Sequence, residues 1–352
     1  MKGKKKLAFL VVLLALALAF TMTACGGSGS DSGDDSATGE PVKFRLASDA
    51  VEGNIMYDLN QKLCDEINER TDGRVQVDYY PASQLGSYET VYQEVVLGNI
   101  DMAHICLPET NDSRFCLAFL PGLARSYDEL NTMFGKGSYV DTVLKEICAE
   151  KGIVLLATTA EGFENVASAK EVKDPFVPGA DKGVTCRCSG FEMTRILLDE
   201  LGYEPTTIAW GEIPTSLQTG VVDAWLGGTA VHHYTYTGDV INYSYIADLQ
   251  PSCYPIVISQ KSWNKLTPED QETVRAVAEE IGAECISKAA ETEQEYIQKM
   301  QDKGIEVVVA SDEEKAEIAS FIRENVWPQY EDLLTKEVID GMYNDLEEKG
   351  LN

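Results

Sequence analysis

The chain has 352 residues and carries 58 acidic against 29 basic side chains, a formal net charge of −29. A chain this acidic repels nucleic acid and anionic lipid at long range, which excludes a nucleic-acid-binding role. If it binds an anion, it needs a cation placed locally for that purpose.

The first element in chain order is an export signal. MKGKKK is followed by an unbroken apolar run from Leu7 to Phe20, 14 residues, too few for a comfortable membrane span. The run leads into TMTAC, where small Thr23 and Ala24 precede Cys25, and Gly26 follows. This stretch resembles a lipobox. Residues 1–25 are therefore expected to be a lipoprotein signal peptide, with Cys25 the lipidated N-terminus of the mature chain. Its removal takes away Lys2, Lys4, Lys5 and Lys6 and leaves a net charge of about −33. Residues 26–40, GGSGSDSGDDSATGE, hold no large apolar side chain and read as a flexible tether. The folded part from Pro41 onward is then expected outside the cytoplasm. There it is lipid-anchored to the outer face of the cell membrane, on the periplasmic side where an outer membrane exists.

Strand and helix signals alternate after that. VKFRLAS (42–48) reads as a strand. Residues 54–70 read as a helix, with Ile55, Leu59, Leu63 and Ile67 on one face. RVQVDYYP (74–81) alternates as a strand, YETVYQEVVLG (88–98) is a helix stopped by Gly98, and IDMAHIC (100–106) is a third strand. Further on, 152–160, 183–189 and 204–209 read as strands, and 191–202 and 212–220 as helices. This βαβ rhythm predicts mainly parallel sheets flanked by helices. Thr267, Pro268, Glu269 and Asp270 then open a helix that runs to about Asp302 and is closed by Gly304. About 35 residues give roughly 50 Å, longer than one small lobe, so this helix is expected to span two.

Within GVTCRCSG (183–190), alternation puts Val184, Cys186 and Cys188 on one face and Thr185, Arg187 and Ser189 on the other. The first face can bury. The second presents a guanidinium between two hydroxyls, as a surface strand or as the wall of a cleft. The eight cysteines besides Cys25 are scattered, without a metal-site or disulfide-scaffold spacing, and read as small buried apolar residues. The sequence leaves one or two bridges open. His104, His232 and His233 are the only histidines. None belongs to an HExxH or HxxxH pair, and neither a nucleophile elbow nor a Walker loop is present. No catalytic residue, metal or cofactor is expected.

YYPASQLG (79–86) followed by ETVYQEVVLGNIDMA (89–103), then FLPGL (119–123), GVTCR, and AWGEIPTSLQTGVVDA (209–224) resembles the signature of TRAP-transporter solute-binding proteins. SWNKLTPEDQ before the long helix matches as well. The resemblance runs through essentially all of residues 41–352. It implies a two-lobed α/β clamp of the periplasmic-binding-protein type. Lobe I would be 41–161 plus about 250–285, and lobe II 162–249 plus about 286–352. It also implies a monomeric receptor that takes a small organic anion, such as a C4-dicarboxylate-like acid, into the interlobe cleft. The receptor delivers it to small and large TRAP membrane subunits. An ABC-type binding protein, a lipoprotein sensor feeding a membrane receptor, and a lipid-anchored hydrolase are the competing readings.

The resemblance places Arg187 at the family's carboxylate-binding arginine, a planar fork that matches two carboxylate oxygens. Trp210 falls where an aromatic lies against the ligand, or else in the core. Trp225 and Gly227 fall in a loop that supplies ligand contacts. Asp49, at the end of the first strand, is a further ligand position, and Glu109 and Asn111 lie in a loop that the resemblance also brings near. Glu164 stands where sialic-acid-type members carry a second arginine, and Gly227 where they carry an asparagine. No acidic residue directly precedes Trp225, as it does in metal-assisted binders of 2-oxo acids. Neither a sialic acid nor a calcium-bridged hydroxy acid is therefore expected. Glu164 either turns to solvent, or serves as counter-charge to a ligand amine or as acceptor for a hydroxyl.

Overall fold

The computed structural model describes residues 40–351. Cys25 and the tether up to Gly39 lie outside the described residues. Among those described, no helix is long and apolar enough to cross a membrane.

Eleven strands form two sheets. In chain order they are β1 (Val42–Ser48), β2 (Val75–Tyr80), β3 (Met102–His104), β4 (Ile153–Ala157), β5 (Ala160–Ser168), β6 (Thr185–Cys188), β7 (Glu204–Thr207), β8 (Ala224–Gly228), β9 (Tyr243–Cys253), β10 (Ile256–Ser259) and β11 (Glu306–Val309). The first sheet has the order β2-β1-β3-β10-β4 and the second β11-β9-β5-β8-β6-β7. In each sheet every strand but one points the same way. The exceptions are β10, antiparallel to β3 and β4, and β5, antiparallel to β8 and β9.

The reversed strands have a common cause. Chain passing from β4 straight into β5, and from β9 straight into β10, changes sheet without a helical return, so each enters its new sheet from the opposite end. A parallel neighbour would need a long crossover. The two passages lie side by side. The Tyr254 amide donates to the Thr159 carbonyl at 3.1 Å, and the Thr159 hydroxyl donates to the Tyr254 carbonyl at 2.5 Å.

The long helix, Pro268–Lys303, has 36 residues, about 54 Å, and starts at Thr267, whose hydroxyl accepts from the Asp270 amide. Val274, Val277, Ala278, Ile281 and Cys285 pack with Phe44, Leu63 and Ile256 of the first sheet's core. Farther along, Tyr296, Ile297 and Met300 pack with Trp225, Val231 and Ile246 of the second. Between these halves the helix meets the strand passage: a side-chain carbon added at Gly282 would lie 2.6 Å from the Thr158 carbonyl oxygen. The C-terminal segment also joins both parts. The Trp327 indole donates to the Pro121 carbonyl at 2.8 Å, while the Tyr330 hydroxyl donates to that of Met193 at 2.9 Å.

The eight described cysteines are all free thiols, and all but Cys106 are buried. Cys186 and Cys188 are wholly buried, as alternation in GVTCRCSG predicts.

Candidate functional site

Strand β6 carries Arg187 between β8 and β7. Its partners on one face, Cys186 and Cys188, sit in the core. Arg187 is itself only 3% exposed, more covered than an arginine facing open cleft water. Nε donates to the Ile208 carbonyl at 2.8 Å and Nη1 to the Leu226 carbonyl at 3.0 Å. Among the described residues, no group bonds Nη2. The Trp210 ring lies 5.9 Å from the guanidinium carbon. Trp210 is 40% exposed, stacks on Tyr236 at 5.0 Å and meets Trp225 and His232 edge-on. Among the described residues, no carboxylate comes within ion-pairing distance of Arg187. Burial depresses its pKa, with the charge of Glu164 acting the other way.

Two other buried cations show what a structural role looks like. Lys182 is held by the Asp174 and Val177 carbonyls, and Arg323 by those of Gly122, Leu123 and Leu351. All three arms of Arg323 find carbonyls. The free Nη2 of Arg187 sets it apart.

Across Gly227 from Arg187 stands the Glu164 carboxyl group. Glu164 on β5 accepts from the Gln250 amide at 2.6 Å, its register partner on β9, and from the Ser252 hydroxyl at 3.4 Å. The same hydroxyl lies 3.3 Å from Glu161, which also accepts from Asn54 at 3.1 Å and sits 3.7 Å from His232 Nδ1. In a regular strand, residues three apart point to opposite faces. Here β5 is bulged between Ala160 and Phe163 and again between Glu164 and Val166, with Gly162 at φ 131°. The first of these bulges, with Gly162 inside it, breaks the alternation so that Glu161 and Glu164 both reach one serine.

Burial pushes Glu164 up to about 7, and Asp49, with Glu161 beside it, up to about 6. Glu109 also rises to about 7 through burial. In the folded protein these carboxyls keep their protons well above the value near 4 of the unfolded chain. Buried Glu293 is raised in the same way. Folding therefore takes up protons, and stability falls as pH rises until these folded groups have ionised, Asp49 near 6 and Glu164 and Glu109 near 7. Buried His104 and His233 are lowered to about 4 and 3 and act only below about 6.5. Lys182, lowered to about 8, acts above the window. The ligand-free protein is thus expected to melt at lower temperature at pH 7.5 than at pH 6.5, and Glu164→Gln to shrink the difference. A melting temperature that is flat or rising across this interval contradicts the assignment.

The structure brings Arg187, Trp210, Glu164, Gly227 and, on the Glu161 and His232 side, Asp49 into one region. A carbon added at Gly227 would lie 2.8 Å from Arg187 Nη1 and 3.9 Å from Glu164 Oε2, and φ there is 128°. Trp225 is wholly buried beneath Trp210 and donates to Thr237. It and Gly227 belong to strand β8, not to a loop. Glu109 lies elsewhere, accepting from the Glu192 amide at 3.2 Å, and Asn111 is exposed on its loop. Glu161, Gln250, Ser252, His232 and Tyr236 join the site although the sequence reading did not select them. Alternation of Gln250 and Ser252 within 243–253 is the one signal that could have found a pair of them. Among the described residues, no cluster of side chains suited to a metal ion is present.

The model of the DctP family, bacterial extracellular solute-binding protein family 7, matches residues 46–337. A solute-binding protein of Chromohalobacter salexigens is 23% identical over 286 residues, covering 77% of this chain and 81% of its own. The 2,3-diketo-L-gulonate-binding periplasmic protein YiaO of Escherichia coli is 27% identical over 262 residues, covering 72% and 76%. Among solved structures, a TRAP periplasmic solute-binding protein from Chromohalobacter salexigens with bound D-glucuronate superposes with a TM-score of 0.72 at 21% identity, covering 84% of this chain and 99% of that one. The chain belongs to bacterial extracellular solute-binding protein family 7, the solute receptors of TRAP transporters.

Proposed function

We propose that the protein captures a small carboxylate between its two sheets, with Arg187 as its anchor, and hands it to TRAP membrane subunits for import. The observation that carries this is the buried Arg187 guanidinium, with Nη2 unbonded, Trp210 against it and no carboxylate paired to it. Burying a charge is costly unless a partner compensates it, and a ligand carboxylate is such a partner. The bound D-glucuronate of the neighbouring structure and the diketogulonate of the YiaO name belong to the same chemical class. The clamp's lobes are taken as 41–161 with about 250–285, and 162–249 with about 286–352. The strand passages at 158–160 and 254–255 support hinges near those limits. The receptor works as a monomer and transforms nothing. A thermal-shift screen of organic acids tests the reading, because a ligand that binds only the native state raises its melting temperature. If no carboxylic acid in the screen raises it, the reading fails.

Cys25 is proposed to be diacylated, on the evidence of the TMTAC site behind an apolar run. Cell fractionation is expected to find the wild type with membranes and Cys25→Ala released from them. An equally membrane-bound variant contradicts the anchor.

A further inference from the structure

We propose that the solute is a compact zwitterion, an α-amino acid or a close analogue, whose carboxylate meets Arg187 and whose cationic nitrogen meets Glu164. The inference rests on the carboxylate reading above and names its substrate class.

Three observations carry it. The first is the approach of Arg187 and Glu164 across Gly227. A side-chain carbon there would lie 2.8 Å from Arg187 Nη1 and 3.9 Å from Glu164 Oε2, so the bare glycine is what lets the two groups come so near each other. A buried cation and a buried carboxyl group thus lie near each other without pairing. A small molecule carrying adjacent opposite charges, lying over the glycine with its carboxylate on Arg187 Nη2 and its cation on Glu164, satisfies each.

The second is an excess of acceptors. Glu161 and Glu164 share the Ser252 hydroxyl, and Asp49 lies close enough to Glu161 to feel its charge. Tyr254 is placed among all three. Against three carboxyl groups stand one arginine and, 3.7 Å from Glu161, His232. A purely anionic solute would add a further negative charge to this cluster, whereas a zwitterion adds none and brings N–H donors.

The third is an orphaned acceptor. Gln250 is only 2% exposed, and its amide nitrogen is spent on Glu164. Its Oε1 is buried without any donor. Buried acceptors left unpaired are rare, and this one lies beside Glu164, where an ammonium with three N–H bonds can reach both.

The pH dependence of binding has opposite signs for the two ligand classes. The groups facing Glu164 are Glu161, Gln250 and Ser252 from the second sheet, Arg187 across Gly227, and Cys106 and Tyr254 from the other side, with Asp49 near both of these and near Glu161. Glu164 and Asp49 both gain negative charge as pH rises from 5.5 to 8. That strengthens the hold on an ammonium and repels a plain anion.

Titration calorimetry of the purified protein with matched pairs tests this. Suitable pairs are L-alanine and L-lactate, L-glutamate and 2-hydroxyglutarate, and L-phenylalanine and 3-phenyllactate, with D-glucuronate beside them, at pH 5.5 to 8. The amino member of at least one pair is expected to bind at least about tenfold tighter than its hydroxy partner, with affinity rising as pH rises. Glu164→Gln is expected to cost that amino acid about ten- to a hundredfold, to flatten its pH profile, and to improve the hydroxy acid at pH 8. Melting curves of the variant confirm that it folds. Hydroxy acids or D-glucuronate binding as tightly as every amino acid, or affinity falling with pH, overturn the zwitterion and leave the carboxylate reading standing. If neither series binds at millimolar concentration, both fall.

Discussion

Arg187→Ala is expected to cut affinity for the carboxylate solute by about 30- to 4,000-fold, since removing one partner of a buried charge pair costs about 2–5 kcal/mol. The bond lost is charge-assisted and sits in a region that water hardly reaches, where its competitor, hydration, is weak. Arg187→Lys should recover only part of the loss. A point ammonium cannot keep the Ile208 and Leu226 carbonyls and still offer a third donor in the same plane. Folding should suffer less than binding. The variant gives up two bonds to carbonyls but also a desolvated charge, and these terms oppose each other. Calorimetry and the melting temperature of the ligand-free variant separate the outcomes. Unaltered affinity removes Arg187 from the site. A collapse of melting temperature together with affinity assigns it the structural role seen at Arg323.

Gly282→Ala is expected to destabilise the fold, although alanine in place of glycine inside a helix ordinarily gains about 1 kcal/mol. The added carbon would lie 2.6 Å from the Thr158 carbonyl oxygen and 3.3 Å from the Ala157 side chain. Backbone at a strand passage cannot swing away as a flexible side chain can, and overpacking typically costs about 1–3 kcal/mol. The clash should outweigh the propensity gain and lower the melting temperature by several degrees. Gly190→Ala, where no atom lies within 4 Å of the added carbon, serves as the control. A Gly282→Ala protein as stable as wild type would show that the helix slides over the passage freely. Because Thr158 lies where the chain changes sheets, a shift in solute affinity is expected to accompany the loss of stability.

The elements with a regular period were legible. The helix from Ile55 to Arg70, strands β1, β2 and β6, and the long helix with its Thr267 cap begin and end within a few residues of where pattern and caps put them. Amphipathic periodicity survives in sequence because one face of each element meets core and the other meets water. Strand β5 carries no such signature. All nine of its residues are buried, so it reads as neither alternating nor uniformly apolar. Strand β9 fails in the same way, with ten of eleven residues buried.

The chemistry divides along the same line. Arg187, flanked by two cysteines that alternation sends into the core, could be read from four residues of sequence. So could the need for a local cation in so acidic a chain. What Arg187 faces could not. Glu161 and Glu164 stand three apart, a spacing that a regular strand sends to opposite sides, and the bulge between Ala160 and Phe163 with the positive φ of Gly162 brings them to one serine. Trp210 and Trp225 look alike in sequence, yet one is 40% exposed over the arginine and the other wholly buried beneath it. Side-chain composition and period determine which segments fold and where a charge must be accommodated. Which charges meet depends on strand register and on where the chain changes sheets, contacts between residues far apart in sequence that no local pattern records.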